Sequence, residues 1–271
     1  MAEFTIAHVT AAIRLLANES NRHPEWAGTI SNLNFPSWYQ ERLEREPHEA
    51  DICVAASGFT ARSLVEVGVP EDRLRLLPLG VDLSHFRQVE HPATGPFRIL
   101  FVGGVGQRKG VKYLLEAYER IRSKNTELVL AGPLPADMRP LKAYRGSVKL
   151  TGRIDQAAVI QEMARAHVLV LPSVFEGFGL VIPEAMASGL PVIASTHSAG
   201  PEIIREGRDG FVLEPDDVEG LADRLDRLAS HRRLAAEMGR EAAERSVEFS
   251  WDVHRLRLAT LLDELDAMST A

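Results

Sequence analysis

The chain has 271 residues, 45% of them hydrophobic and 25% charged, enough for one large or two medium globular domains with a sizeable core. Its 31 basic and 38 acidic side chains leave a net charge of -7, which favours solubility and argues against a broad nucleic-acid footprint. A single cysteine, Cys53, excludes an internal disulfide; no apolar run approaches the roughly 18 residues of a membrane span, and the first residues show no signal-peptide pattern, so a cytoplasmic setting is expected.

The first 90 residues are irregular. "NRHPEWAGTISNLNFPSWYQ" is rich in turn formers, "DICVAAS" is an apolar run in which Cys53 reads as a small buried hydrophobe, "TARSLVEVG" predicts a helix and "RLRLLPLG" a short strand. This stretch reads as part of an α/β domain. "VDLSHFRQVEHPATGP" is polar and carries prolines, which marks a linker. His8, His23 and His48 fall in no recognisable motif, and exposure is the plainer expectation for each.

From Phe97 onward short apolar runs alternate with amphipathic stretches. "FRILFVGG", "ELVLAGP", "SVKLTGRI", "VLVLPSV", "PVIAST" and "GFVLEP" predict buried parallel strands, and "VKYLLEAYERIRS", "QAAVIQEMARA" and "VEGLADRLDRLA" predict helices between them. In the first of these, Leu114, Leu115, Tyr118 and Ile121 share a face. The expected architecture is α/β: a partial N-terminal α/β domain with linker over 1–90, a Rossmann-like parallel sheet over 91–245, and a last amphipathic helix over 246–271 after a break near Ser246.

Two stretches carry chemistry. In "SVFEGFGLVIPEAMASGLPVIAS" the strand should end near Val174, leaving Glu176, Gly177 and Gly179 on a loop at the carboxyl edge of the sheet, where open α/β folds collect ligands. A helix starting around Leu180, with Pro183 in its first turn, leaves the N-H groups of Gly179, Leu180 and Val181 free to meet a phosphate. Glu184 projects beside them. Two carboxylates repel a bare phosphate and accept from hydroxyls, a combination that suits a phosphate flanked by polyols. On spacing alone the simpler alternative is favoured, in which Glu184 complements the helix dipole and Glu176 is solvated.

The other stretch is "FVGGVGQRKGVKYLLEA", where a strand runs into Gly103, Gly104 and Gly106, then Arg108 and Lys109, before a helix. Lys109 stands where a dinucleotide fingerprint needs its third glycine, and no acid follows the second strand, which argues against a nicotinamide enzyme; a P-loop is excluded by the residues after the last glycine. Taken alone, Arg108 and Lys109 are as readily a solvated pair as a functional one.

Together these segments resemble the retaining glycosyltransferases of family 4, which have the two-domain GT-B fold. The likeness rests on "EGFGLVIPE", two glutamates with seven residues between them, continued by "AMASGLPVIAS", and on "VLAGPL", "VKLTGRI", "GPEIIREGRDGFVLEPDDVEGLADRL" and "FSW"; it covers about Glu41 to Leu262. The resemblance implies a donor site for a UDP-, GDP- or ADP-linked sugar and transfer with retention of anomeric configuration, without a metal or a further cofactor. Glu184 would bind the ribose and Glu176 the transferred sugar. Lys109 with Arg108 would neutralise the diphosphate, Phe178, Gly179, Leu180 and Val181 would cradle it with Gly103 and Gly104, and Gly152, Arg153 and Ile154 would line the base. Two departures stand out. Gly104 occupies a position where many members have arginine, and only about 90 residues precede the linker, where a GT-B enzyme has a whole domain. The alternative function is therefore a noncatalytic nucleotide-sugar module or donor-side subunit, with self-association or a partner chain completing the N-terminal domain.

Overall fold

The computed structural model describes residues 1–30, 35–123 and 125–269. The N-terminal part runs β1 (Ala2–Phe4), α1 (Val9–Arg22), α2 (Ser37–Glu49), β2 (Cys53–Ala55), α3 (Gly58–Glu66) and β3 (Leu74–Leu76). Its strands form a parallel sheet in the order β1-β2-β3, with Ala2 beside Cys53 and Cys53 beside Leu74. Parallel neighbours need crossovers, and α1 with α2, then α3, supply them. Ser57 starts α3 by accepting the Thr60 N-H at 3.1 Å. Cys53 is fully buried, as a small hydrophobe.

The larger part continues with β4 (Phe97–Val102), α4 (Val111–Ile121), β5 (Thr126–Ala131), β6 (Val148–Gly152), α5 (Gln156–Arg165), β7 (Val168–Leu171), α6 (Val181–Ala187), β8 (Val192–Ser195), α7 (Gly200–Ile203), β9 (Gly210–Leu213), α8 (Val218–Ser230), α9 (Arg232–Ser246) and α10 (Trp251–Ser269). All six strands are parallel in the order β6-β5-β4-β7-β8-β9. The chain lays β4, β5 and β6 outward in one direction, then returns to place β7, β8 and β9 in the other. The reversal between β4 and β7 opens a crevice at their carboxyl ends.

The apolar runs explain the sheet. β7 and β8 are buried along their whole length, as expected of central strands covered on both faces. Leu114, Leu115 and Tyr118 of α4 are buried against Phe97, Phe101 and Leu128. Asp155 and Asp217 accept N-H groups at the starts of α5 and α8, each at 2.8 Å. The result is α/β with parallel sheets, as the alternating runs predict.

Segment 81–96 is less free than its composition suggests. Val81 and Phe86 are buried in the main core, and Val81 bridges to Ser250. Polar residues dominate the segment, but two apolar ones anchor it. The helix α10 packs Leu258, Leu261 and Leu265 on Ile52, Val54 and Leu77 of the N-terminal sheet, while Leu256 and Leu262 on its other side are exposed. Among the described residues no helix is long and apolar enough to cross a membrane.

Candidate functional site

At the carboxyl end of β4 the backbone turns through Gly103 and Gly104 into a short 3-10 turn, Gln107–Lys109, and then α4. Gly110 makes the bend with φ of 70°, and a Cβ there would strike the Pro172 carbonyl oxygen, so this position admits only glycine. Gly104 is exposed, with open space where a side chain would project. It borders a pocket of 160 Å³ that Arg108 and Lys109 line with Thr29, Pro133 and Leu134. On the β5 and β6 side, Gly132 lies against the Gly103 carbonyl and donates to the Gly152 carbonyl at 3.1 Å. Gly103, Gly132 and Gly152 thus form a side-chain-free floor, with Arg153 exposed and Ile154 half-buried beyond it.

The loop after β7 faces this turn. Arg108 is the hinge between them: its carbonyl accepts the N-H groups of Val174 and Phe175 at 3.1 and 3.3 Å, and its guanidinium donates to the Phe175 carbonyl at 3.1 Å. Next along the loop, the Glu176 carboxylate meets the Lys109 ammonium, each side chain only 14% exposed. Gly179 has φ of 86°, which turns the chain into α6. Pro183, in the first turn of α6, has no N-H to offer. Phe178 is buried below, and Leu180 is exposed at the rim.

Among the described residues Arg108 has no carboxylate in salt-bridge contact, and burial pushes its guanidinium down from its ordinary value. Burial, with Arg108 beside it, pulls Lys109 down to about 7. The Glu176 carboxylate beside it acts in the opposite direction, favouring the charged ammonium. Glu184, in the first turn of α6, has no side-chain partner among the described residues, and burial alone pushes its carboxyl up to about 7. A half-buried carboxylate with nothing to accept from is a ready acceptor for ligand hydroxyls. The structure therefore brings Arg108, Lys109 and Glu176 together and places Glu184 in the first turn of the helix that follows their loop.

Several supporting residues carry no signal in the sequence. Ser57, fully buried, donates to the Gly177 carbonyl at 2.6 Å, and Gly177 packs so closely on Thr5 and Ile6 that a Cβ would collide. Glu202 of α7 accepts the Gly58 N-H at 3.1 Å. Glu19, buried on α1, accepts from Gln107 at 2.8 Å and from the Tyr113 hydroxyl at 2.9 Å, and Thr29 accepts the Gln107 N-H at 3.1 Å. These bonds join residues 78 to 144 positions apart, and only the fold makes them neighbours. The histidines are corrected too. His8 is 4% exposed as the residue that caps the start of α1, and His23 is half-buried against the Tyr113 hydroxyl at 3.1 Å; His48 is exposed as expected.

Known proteins resemble this chain in sequence and in fold. The family model for glycosyl transferases of group 1 matches residues 96–231. The sulfoquinovosyl transferase SQD2 of Arabidopsis thaliana is 29% identical over 237 residues, covering 82% of this chain and 46% of that protein. The chain spans about half the length of the curated relatives it matches. Among solved structures, sucrose-phosphate synthase from Thermosynechococcus elongatus superposes with a TM-score of 0.74 and 27% identity, covering 88% of this chain and 64% of that one. HepE of Anabaena in complex with UDP gives 0.71 at 20% identity, over 87% of this chain and 70% of that one, a likeness of fold alone.

Proposed function

The chain belongs to the group 1 glycosyl transferases, and from that premise we propose that it moves a sugar from a nucleotide-diphosphate sugar to an acceptor with retention of anomeric configuration. One observation carries this reading: beside the crevice between β4 and β7, Arg108 is bonded to the loop that carries Glu176, Lys109 pairs with Glu176, and Glu184 stands in the first turn of the helix that follows. The sugar-binding carboxylate is Glu176 and the ribose-binding one Glu184. Gly103 and Gly104 let the diphosphate approach the backbone, and Gly152, Arg153 and Ile154 border the base.

In the transfer, the bond from the anomeric carbon to the diphosphate oxygen breaks with its electron pair on that oxygen. The acceptor oxygen bonds to the same face of that carbon, and its proton leaves with the diphosphate. Fixed cations and amides aimed at the leaving oxygen stabilise the charge that develops there. HepE was solved with UDP, and uridine is the first base to test.

A second reading, a donor-binding module completed by another polypeptide, is favoured by the small N-terminal sheet, which among the described residues has three strands and ends at β1. Titration with UDP-, GDP- and ADP-glucose, followed by an assay of sugar release and transfer, separates the two. Turnover supports the transferase; binding with no release or transfer to any acceptor leaves the module. No binding of any of the three overturns both.

A further inference from the structure

The turn that carries Arg108 and Lys109 is three residues of 3-10 helix, held within itself by the Lys109 N-H on the Gly106 carbonyl at 3.1 Å and the Gly110 N-H on the Gln107 carbonyl at 2.9 Å. So short a turn has little stiffness of its own, and its direction is set by what braces it from outside. The braces come from the N-terminal part. Gln107 is fully buried, and its backbone N-H donates to the Thr29 hydroxyl at 3.1 Å. Its side-chain amide donates to Glu19 of α1 at 2.8 Å, while its side-chain oxygen accepts the Lys112 N-H, at the start of α4, at 3.1 Å. Glu19 also accepts the Tyr113 hydroxyl at 2.9 Å, so one carboxylate ties the turn and the helix after it to a single point. The Thr29 carbonyl sits where a Cβ on Gly106 would project, which puts the two backbones in direct contact.

Glu19 is 5% exposed, and its nearest cation among the described residues, Arg22, stands 3.8 Å away with its side chain largely in solvent. Burying a carboxylate on neutral donors is a poor way to stabilise a fold, since an apolar side chain in its place would carry no desolvation cost. What the carboxylate supplies is direction. It has acceptor sites alone, and the donors of Gln107 and Tyr113 converge on it in charge-assisted bonds. Burial raises the Tyr113 hydroxyl above its ordinary value, so it keeps its proton and remains a donor. Thr29 completes the connection, because it lines the same 160 Å³ pocket as Arg108 and Lys109.

We infer that Glu19 is a positioning residue for the diphosphate: acting from α1 through Gln107, it fixes the turn on which Arg108 and Lys109 stand, so the N-terminal part sets the geometry of the phosphate site. The phosphate role of those two cations rests on the transferase reading; the bracing of the turn does not.

Hydrogen exchange of the full chain reads the turn directly, and calorimetric titration with UDP, GDP and ADP, each beside its nucleoside, reads the phosphate site. In Glu19→Leu the amides of 107–112 should exchange roughly tenfold faster or more, with those of β8 unchanged. The nucleotide that binds should bind roughly tenfold more weakly, while its nucleoside, which carries no phosphate, stays within about twofold. Glu19→Gln, whose side-chain oxygen can still accept from Gln107, should restore both readings. Gln107→Met breaks the same bond from the other end and leaves Glu19 with Tyr113; it should repeat the pattern of Glu19→Leu, and it decides the matter if Glu19→Leu does not fold. Unchanged exchange in the turn, equal weakening of nucleotide and nucleoside, or a Glu19→Gln variant as impaired as Glu19→Leu would overturn the proposal. If the unsubstituted chain binds none of the three nucleotides while the exchange pattern is as expected, the donor-site reading is refuted and Glu19 stands as the brace of the turn.

Discussion

The hydroxyl of Ser57 donates to the carbonyl of Gly177 at 2.6 Å while accepting the Thr60 N-H at 3.1 Å, so one buried side chain both starts a helix of the N-terminal part and holds the loop that carries Glu176. Ser57→Ala removes the cap and leaves a buried carbonyl without its donor. The expected loss is about 1–3 kcal/mol of stability, read from the urea midpoint. UDP-glucose affinity should fall more than UDP affinity, because the displaced loop carries the group assigned to the sugar. A variant as stable as the unsubstituted chain would show that the bond contributes nothing.

Glu184 makes stability and binding depend on pH in opposite ways. Its carboxyl is raised in the folded chain from 4.5 to about 7 by burial. Between those values the folded state binds more protons than the unfolded one, so this group's contribution to stability declines as pH rises from about 4.5 to 7 and is flat above. Glu184→Gln should remove that decline, seen as the difference between the two melting curves across pH 4 to 8. The ionised form is the better acceptor for hydroxyls, so uridine-nucleotide affinity should rise through pH 7 in the unsubstituted chain relative to Glu184→Gln. Parallel pH profiles for the two proteins would contradict the ribose role.

Gly110 admits no side chain. With φ of 70° and the Pro172 carbonyl where a Cβ would go, Gly110→Ala combines an unfavourable backbone conformation with a collision against main chain. The strained φ alone costs about 1 kcal/mol or more, and the collision adds to it, since neither partner is a movable side chain end. The expected result is a thermal midpoint lower by several degrees and weaker UDP binding, because the bend positions Arg108 and Lys109. Gly104→Ala, with open space at its Cβ, is the control and should leave the midpoint unchanged.

How much of this was legible follows from what sequence periodicity records. The β4 to β9 strands are contiguous apolar runs, and β7 and β8 are buried at every position, so they could be read directly. The turn into α6 was legible because Gly179 permits a left-handed bend and Pro183 fixes φ in the first helical turn. Opaque were the contacts made across long separations: Ser57 with Gly177, Glu202 with Gly58, Glu19 with Gln107. A buried glutamate in an amphipathic helix looks like any other glutamate until its partner is placed beside it. The N-terminal helices α1 and α2 escaped for a related reason: α2 is largely exposed, with Pro47 near its end, and so it has little apolar stripe to display. His8 was read as exposed because nothing local marks a strand of only three residues before it.

The Lys109 and Glu176 pair separates the two ligand halves. Each side chain is 14% exposed, so removing either partner strands a charge out of water. Lys109→Met and Glu176→Gln should each destabilise by about 3–5 kcal/mol, the range for breaking a buried pair, while the double variant recovers most of the loss. Their binding should differ even where their stability does not. Lys109→Met removes the ammonium proposed to meet the diphosphate, so UDP and UDP-glucose should weaken together. Glu176→Gln removes an acceptor for sugar hydroxyls, so UDP-glucose should weaken while UDP binds as well as before or tighter, because Lys109 is freed from its internal partner. Equal losses of UDP and UDP-glucose in Glu176→Gln would mean that this carboxylate serves only to hold Lys109, and the sugar would need another acceptor within the cleft.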